Sequence, residues 1–114
     1  MTGPEAKVEA YLKACVEDAG GECIKIKASG VKGVPDRIVI INGVTCFVEL
    51  KSKSGKLSMH QRKMFSRIHG AGGIIFVLDD KDRIDDFIVF ALQDFEDAVA
   101  EESLILLPNT RLDS

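Results

Sequence analysis

Asn42-Gly43 stands between two apolar runs, and it folds the chain back on itself at that point. A two-residue hairpin turn matched to the twist of its strands needs φ above zero at both central positions. Asn tolerates that backbone and Gly takes it freely, so the dipeptide is a strong short-range hairpin signal. The flanking runs, residues 36–41 and 44–51, therefore read as paired antiparallel strands. Their outer ends carry charge: Pro35-Asp36 opens the first and Glu49-Leu50-Lys51 closes the second. Side chains two apart on a strand share a face, so Glu49 and Lys51 project together, and pairing brings Asp36 beside them.

Two acids and a lysine in that arrangement suit one kind of chemistry. Phosphodiester cleavage needs an activated water and a counter to phosphate charge, and a divalent cation supplies much of both. Hard cations such as Mg²⁺ take carboxylate and carbonyl oxygens. Asp36 and Glu49 would give one oxygen each and the Leu50 carbonyl a third, with Lys51 orienting or deprotonating the water, or steadying the phosphate. The bland alternative is an exposed cross-strand charge pair beside a strand-terminating aspartate.

The remaining pattern frames the hairpin. Val8, Tyr11, Leu12, Cys15, Val16 and Ala19 recur at helical spacing between Pro4 and Gly20-Gly21, which predicts a helix over 4–19. Cys23, Ile24 and Ile26 predict a first strand, and residues 28–34 a loop. Residues 38–41 are apolar on both faces, as a central strand covered on both sides would be. Ser58 caps a predicted helix to about Gly70, with Met64, Phe65 and Ile68 inward. Residues 74–78 form a fourth buried strand, and Ile84, Phe87, Ile88, Ala91 and Leu92 mark a last helix, with a further helical piece to Glu102. The apolar segment 104–107 fits an edge strand, a tail on the body or a subunit contact. The order is αβββαβα, an α/β fold in one domain.

Two more residues have alternative readings. Ser58-x-x-Gln61 is a capping box, so Gln61 could bond back to the Ser58 backbone, but it also lies one turn before the inward Met64 and Phe65 and could support the site. Glu5 and Glu9 share the inward stripe of the first helix with Val8 and Leu12. A solvated face, or for Glu5 a favourable place near the helix N-terminus, explains them on physics alone.

Charge is unevenly distributed. Residues 25–67 hold ten Lys/Arg and two acids, Asp36 and Glu49, although the whole chain has a net charge of -3. A basic middle whose only acids are the two suspected ligands suits a polyanion-binding face. Cys15, Cys23 and Cys46 are odd in number and widely spaced, which argues against a zinc site or disulfide framework. His60 and His69 read as surface residues. No Gly-rich phosphate loop suggests a nucleotide cofactor. No apolar run approaches the ~20 residues of a membrane span, and Met1 to Glu5 lacks signal-peptide character, so a cytoplasmic location is expected.

These segments resemble the PD-(D/E)xK nuclease superfamily, and more closely its VRR-NUC branch, the virus-type replication-repair nucleases. The likeness rests on residues 5–12 ending at Gly20-Gly21, Gly33-Val34-Pro35-Asp36-Arg37, Phe47-Val48-Glu49-Leu50-Lys51, Leu57-Ser58 through Gln61, and Phe76-Val77-Leu78-Asp79. It implies a restriction-endonuclease-like αβββαβ core with a mixed sheet flanked by helices. The whole chain, 1–114, would be one such domain, with its core over about 4–92 and an extension over about 93–114. It implies Mg²⁺- or Mn²⁺-dependent hydrolysis with Asp36 and Glu49 on the metal and Lys51 as the catalytic lysine. It places the family's helix glutamate on Glu5, with Glu9 as fallback, and gives Gln61 a supporting role. The stand-alone, phage-type members it most resembles imply a homodimer cutting branched DNA such as Holliday junctions, in the host cytoplasm if phage-encoded. Flap, linear or single-stranded DNA are alternative substrates, and a non-catalytic DNA-binding module is the alternative from another class.

Overall fold

A computed structural model describes residues 4–51 and 55–93, with side chains from Ala6 onward. The order is α1 (Pro4–Asp18), β1 (Glu22–Lys25), β2 (Arg37–Ile41), β3 (Val44–Leu50), α2 (Met59–Gly70), β4 (Ile75–Leu78) and α3 (Lys81–Leu92). This is the expected αβββαβα, with boundaries moved by a residue or two. The helical piece to Glu102 and the segment 104–107 lie outside the described residues.

The turn behaves as its sequence requires. Asn42 has φ 52° and Gly43 φ 79°, both positive. The hairpin it sets pairs Ile41 with Val44 at the turn and Arg37 with Val48 at the far end. β1 adds antiparallel to β2, and β4 adds parallel to β3, giving a mixed sheet in the order β1-β2-β3-β4. The parallel step needs a crossover, and α2 provides it.

Strand alternation sorts the side chains onto two faces. Val39, Ile41, Val44, Cys46, Val48 and Leu50 join Leu12 and Val16 of α1 and Ile84, Phe87 and Ala91 of α3 in one core. Phe76 anchors it, edge-on to Phe87 at 5.0 Å between ring centroids and to Phe90 at 6.2 Å. On the other face a smaller cluster of Phe65, Ile75 and Val77 packs with Phe47, Leu57, Met64 and Ile68. Here α2 covers the β3–β4 half of the sheet.

One expectation fails for that reason. β2 is interior to the sheet, but the described residues do not cover it on both sides: Ile40 is 38% exposed, and Ile24 of β1, which pairs with Ile38, is 47% exposed. A single helix, about 10 Å across, covers about two strands at their spacing of roughly 4.8 Å. Among the described residues, the β1–β2 half of the α2 face therefore stays open, lined by Ile24, Ile38 and Ile40.

Candidate functional site

The hairpin's far end gathers the three residues that its pattern singled out. The β2–β3 ladder stops at Arg37↔Val48, and beyond it the two acids take over the pairing. The Asp36 N–H donates to Glu49 Oε1 at 3.1 Å, and the Leu50 N–H donates to Asp36 Oδ2 at 3.2 Å. Each strand thus holds the other through one carboxylate. Lys51 Nζ lies 3.7 Å from Glu49 Oε2, on the same face as alternation requires.

Gln61 settles its two readings by doing both. Its backbone N–H donates to Ser58 Oγ at 3.1 Å and its side-chain oxygen accepts from the Ser58 N–H at 2.9 Å, completing the capping box. The other half of the same amide, Nε2, donates to Glu49 Oε2 at 2.9 Å. The cap fixes the amide's orientation, and the fixed amide addresses the acid.

Glu49 is 3% exposed. Burial pushes its carboxyl up to about 7, and the Asp36 charge pushes the same way. Lys51, the Asp36 N–H and Gln61 pull it back only in part. A buried carboxylate beside a second carboxylate is costly when ionised, and a cation between them offsets both burial and repulsion. The donor set therefore fits a hard divalent ion, with Asp36, Glu49 and the Leu50 carbonyl as the oxygens that would hold it. Among the described residues no group of three His, Cys, Asp or Glu gathers for a metal. Glu5 lies in the first turn of α1, and its side chain is outside the described residues.

Glu9 is placed elsewhere. Its carboxylate pairs with Arg37 Nη2 and lies 3.4 Å from Lys25 Nζ. Arg37 follows Asp36 and so points to the opposite face of the sheet, toward α1. It is 8% exposed, which removes it from the basic surface that the charge count suggested. Lys25, Lys27, Lys32, Lys56, Lys63 and Arg67 remain exposed. Sequence reasoning missed the Glu9–Arg37 pair. The only signal for it was an arginine at an alternation position that otherwise holds apolar residues.

His60 is exposed and His69 half-buried. Cys23 and Cys46 are buried free thiols, and burial pushes Cys46 up to about 12.

A solved structure described as a VRR_NUC domain superimposes with a TM-score of 0.72 at 32% identity, covering 77% of this chain and 97% of that one. The phage protein "Putative nuclease p44", of Acyrthosiphon pisum secondary endosymbiont phage 1, is 35% identical over 79 residues, covering 68% of this chain and 85% of its own length. No family model matches the chain.

Proposed function

We propose that this chain, which belongs to the VRR-NUC nuclease family, is a divalent-metal-dependent DNA endonuclease. The observation that carries the reading is the Asp36–Glu49 pair, locked strand to strand and flanked by Lys51 and Gln61. A bound Mg²⁺ or Mn²⁺ would supply a Lewis acid and a lowered water pKa. The chain's own residues do the rest. Asp36 and Glu49, with the Leu50 carbonyl, would hold the ion. Gln61 keeps Glu49 in one orientation. Lys51 orients the attacking water and steadies the phosphate. Glu5, at the start of α1, is the further acid that family position assigns.

The substrate side rests on charge. The lysines of the β1–β2 loop and the basic residues of α2 make a polyanion-binding surface beside the acids. We assign it to branched DNA, with four-way junctions first. One protomer has one such site, and symmetric cutting of a junction needs two, so a homodimer is the working assembly. The open Ile24–Ile38–Ile40 face supports it, since an exposed apolar patch on a sheet marks a contact surface. The phage origin of the relative makes the host cytoplasm the expected setting.

The test is cutting of a synthetic four-way junction, a flap and a linear duplex of one sequence, with Mg²⁺ and with Mn²⁺. Paired symmetric nicks in the junction, absent in Lys51→Ala with its fold retained, are expected. Equal cutting of all three substrates would remove the junction preference and keep the nuclease. Salt-sensitive binding without cutting under either metal would make the chain a binding module.

A further inference from the structure

The loop between β1 and β2 ends on Asp36, and one of its residues lies against the helix that carries Gln61. Gly33 has φ +83°, and a Cβ added there would lie 2.2 Å from the His60 carbonyl oxygen, 2.5 Å from its carbon and 2.8 Å from the Gln61 amide nitrogen. All three atoms are backbone, so no side chain can rotate out of the way. Gly30 in the same loop has nearly the same backbone, φ +80°, but nothing within 4 Å of its would-be Cβ. Left-handed backbone is common to both glycines, whereas close approach to α2 belongs to Gly33.

The contact joins two parts of the site that no strand ladder connects. On one side, buried Pro35 leads from Gly33 to Asp36. On the other, Gln61 sends its side chain to Glu49 Oε2 at 2.9 Å. Asp36 meets the other oxygen of the same carboxylate through its N–H. Glu49 is thus held from both sides, by the loop and by the helix, and Gly33 is where these two supports touch. We infer that Gly33 is a positioning residue: its lack of a side chain lets the loop press against the His60–Gln61 peptide, and that contact sets Gln61 at hydrogen-bonding distance from Glu49. A methyl group there moves the loop off the helix turn and withdraws Gln61. The inference rests on the nuclease reading for its consequence in cation binding, but the contact itself does not.

The test pairs the two glycines. Gly33→Ala and Gly33→Asn are compared with Gly30→Ala and Gly30→Asn, Asn being the non-glycine residue that best tolerates left-handed backbone. The Gly30 pair measures backbone strain alone, and the Gly33 pair measures strain plus contact. Mn²⁺ affinity is read by calorimetry, the Gln61 side-chain amide by NMR without metal, and folding by the thermal midpoint. Both Gly33 variants should bind Mn²⁺ about 10- to 100-fold more weakly, the usual loss when a partner of a metal ligand is withdrawn. Their Gln61 amide signal should move to the position of a solvent-exposed amide. The Gly30 variants should match wild type in both. Gln61→Ala should show the same loss, and Gly33→Ala added to it no further loss. Gly33 variants that match their Gly30 counterparts would overturn the inference. So would failure of both Gly33 variants to fold while the Gly30 variants fold, since that makes the contact structural only. Wild-type protein that binds no Mn²⁺ would instead sink the nuclease reading, leaving the Gln61 signal to decide the contact by itself.

Discussion

Glu49 is 3% exposed and has its carboxyl pushed from 4.5 to about 7, chiefly by burial. The folded chain therefore keeps a proton that the unfolded chain releases between those two values. Stability is highest below pH 4.5 as far as this group is concerned, and it falls as pH rises through 7. The loss is roughly 3 kcal/mol over that window. Glu49→Gln removes the titration, so its urea midpoint should stay level between pH 5 and 8 while the wild-type midpoint falls. An unchanged slope in the variant would assign the pH dependence elsewhere. The same proton competes with a cation, so Mg²⁺ should flatten the wild-type slope. A site that destabilises its own fold when empty is what binding chemistry asks of buried acids.

Elements carry the site as much as residues do. The hairpin brings Asp36 and Glu49 together, α2 adds Gln61 from the face that it covers, and α1 packs on the opposite face. The pair between Glu9 and Arg37 belongs to that opposite face. Glu9→Ala would leave a nearly buried guanidinium with no carboxylate. The cost should be about 2 kcal/mol, less than for a fully buried pair because Glu9 keeps 24% of its side chain exposed. Denaturant unfolding should show this loss, and calorimetry should show Mn²⁺ affinity unchanged. Loss of Mn²⁺ binding would transfer to Glu9 the role that family position gives to Glu5. α2 shows the economy of a short element: one capping box starts the helix, orients Gln61 and thereby supports the acid.

At the scale of the molecule, the sheet has one thoroughly covered face and one half-covered face. The covered face builds the core with α1 and α3. The other holds the site at the Asp36 end of β2 and, directly beside it along the strand, the Ile24–Ile38–Ile40 surface that the described residues leave open. Ile40→Glu places a charge on that surface four residues along β2 from Asp36, roughly 13 Å away. Sedimentation should show the wild-type chain as a dimer and the variant as a monomer, with paired junction nicks replaced by single ones. A wild-type monomer would sink the dimer. Among the described residues no helix is long and apolar enough to cross a membrane.

Local rules are why so much of this was legible in one dimension. The turn at Asn42-Gly43, the faces of Glu49 and Lys51, the Ser58 cap and the apolar periods of the helices are set within a few residues of chain, where backbone geometry leaves few choices. The fold order and the meeting of Asp36, Glu49 and Lys51 followed from those rules. Four things did not follow, and each depends on residues far apart in sequence. Glu9 meets Arg37 across 28 positions. Gln61 serves the cap and Glu49 together, because the cap leaves half of its amide free to point at the sheet. Gly33 touches the His60–Gln61 peptide because a loop and a helix end converge there. Ile40 is exposed because α2 covers two strands and not four. Periodicity tells a side chain which face to take, but only the packed structure decides what, if anything, lies on that face.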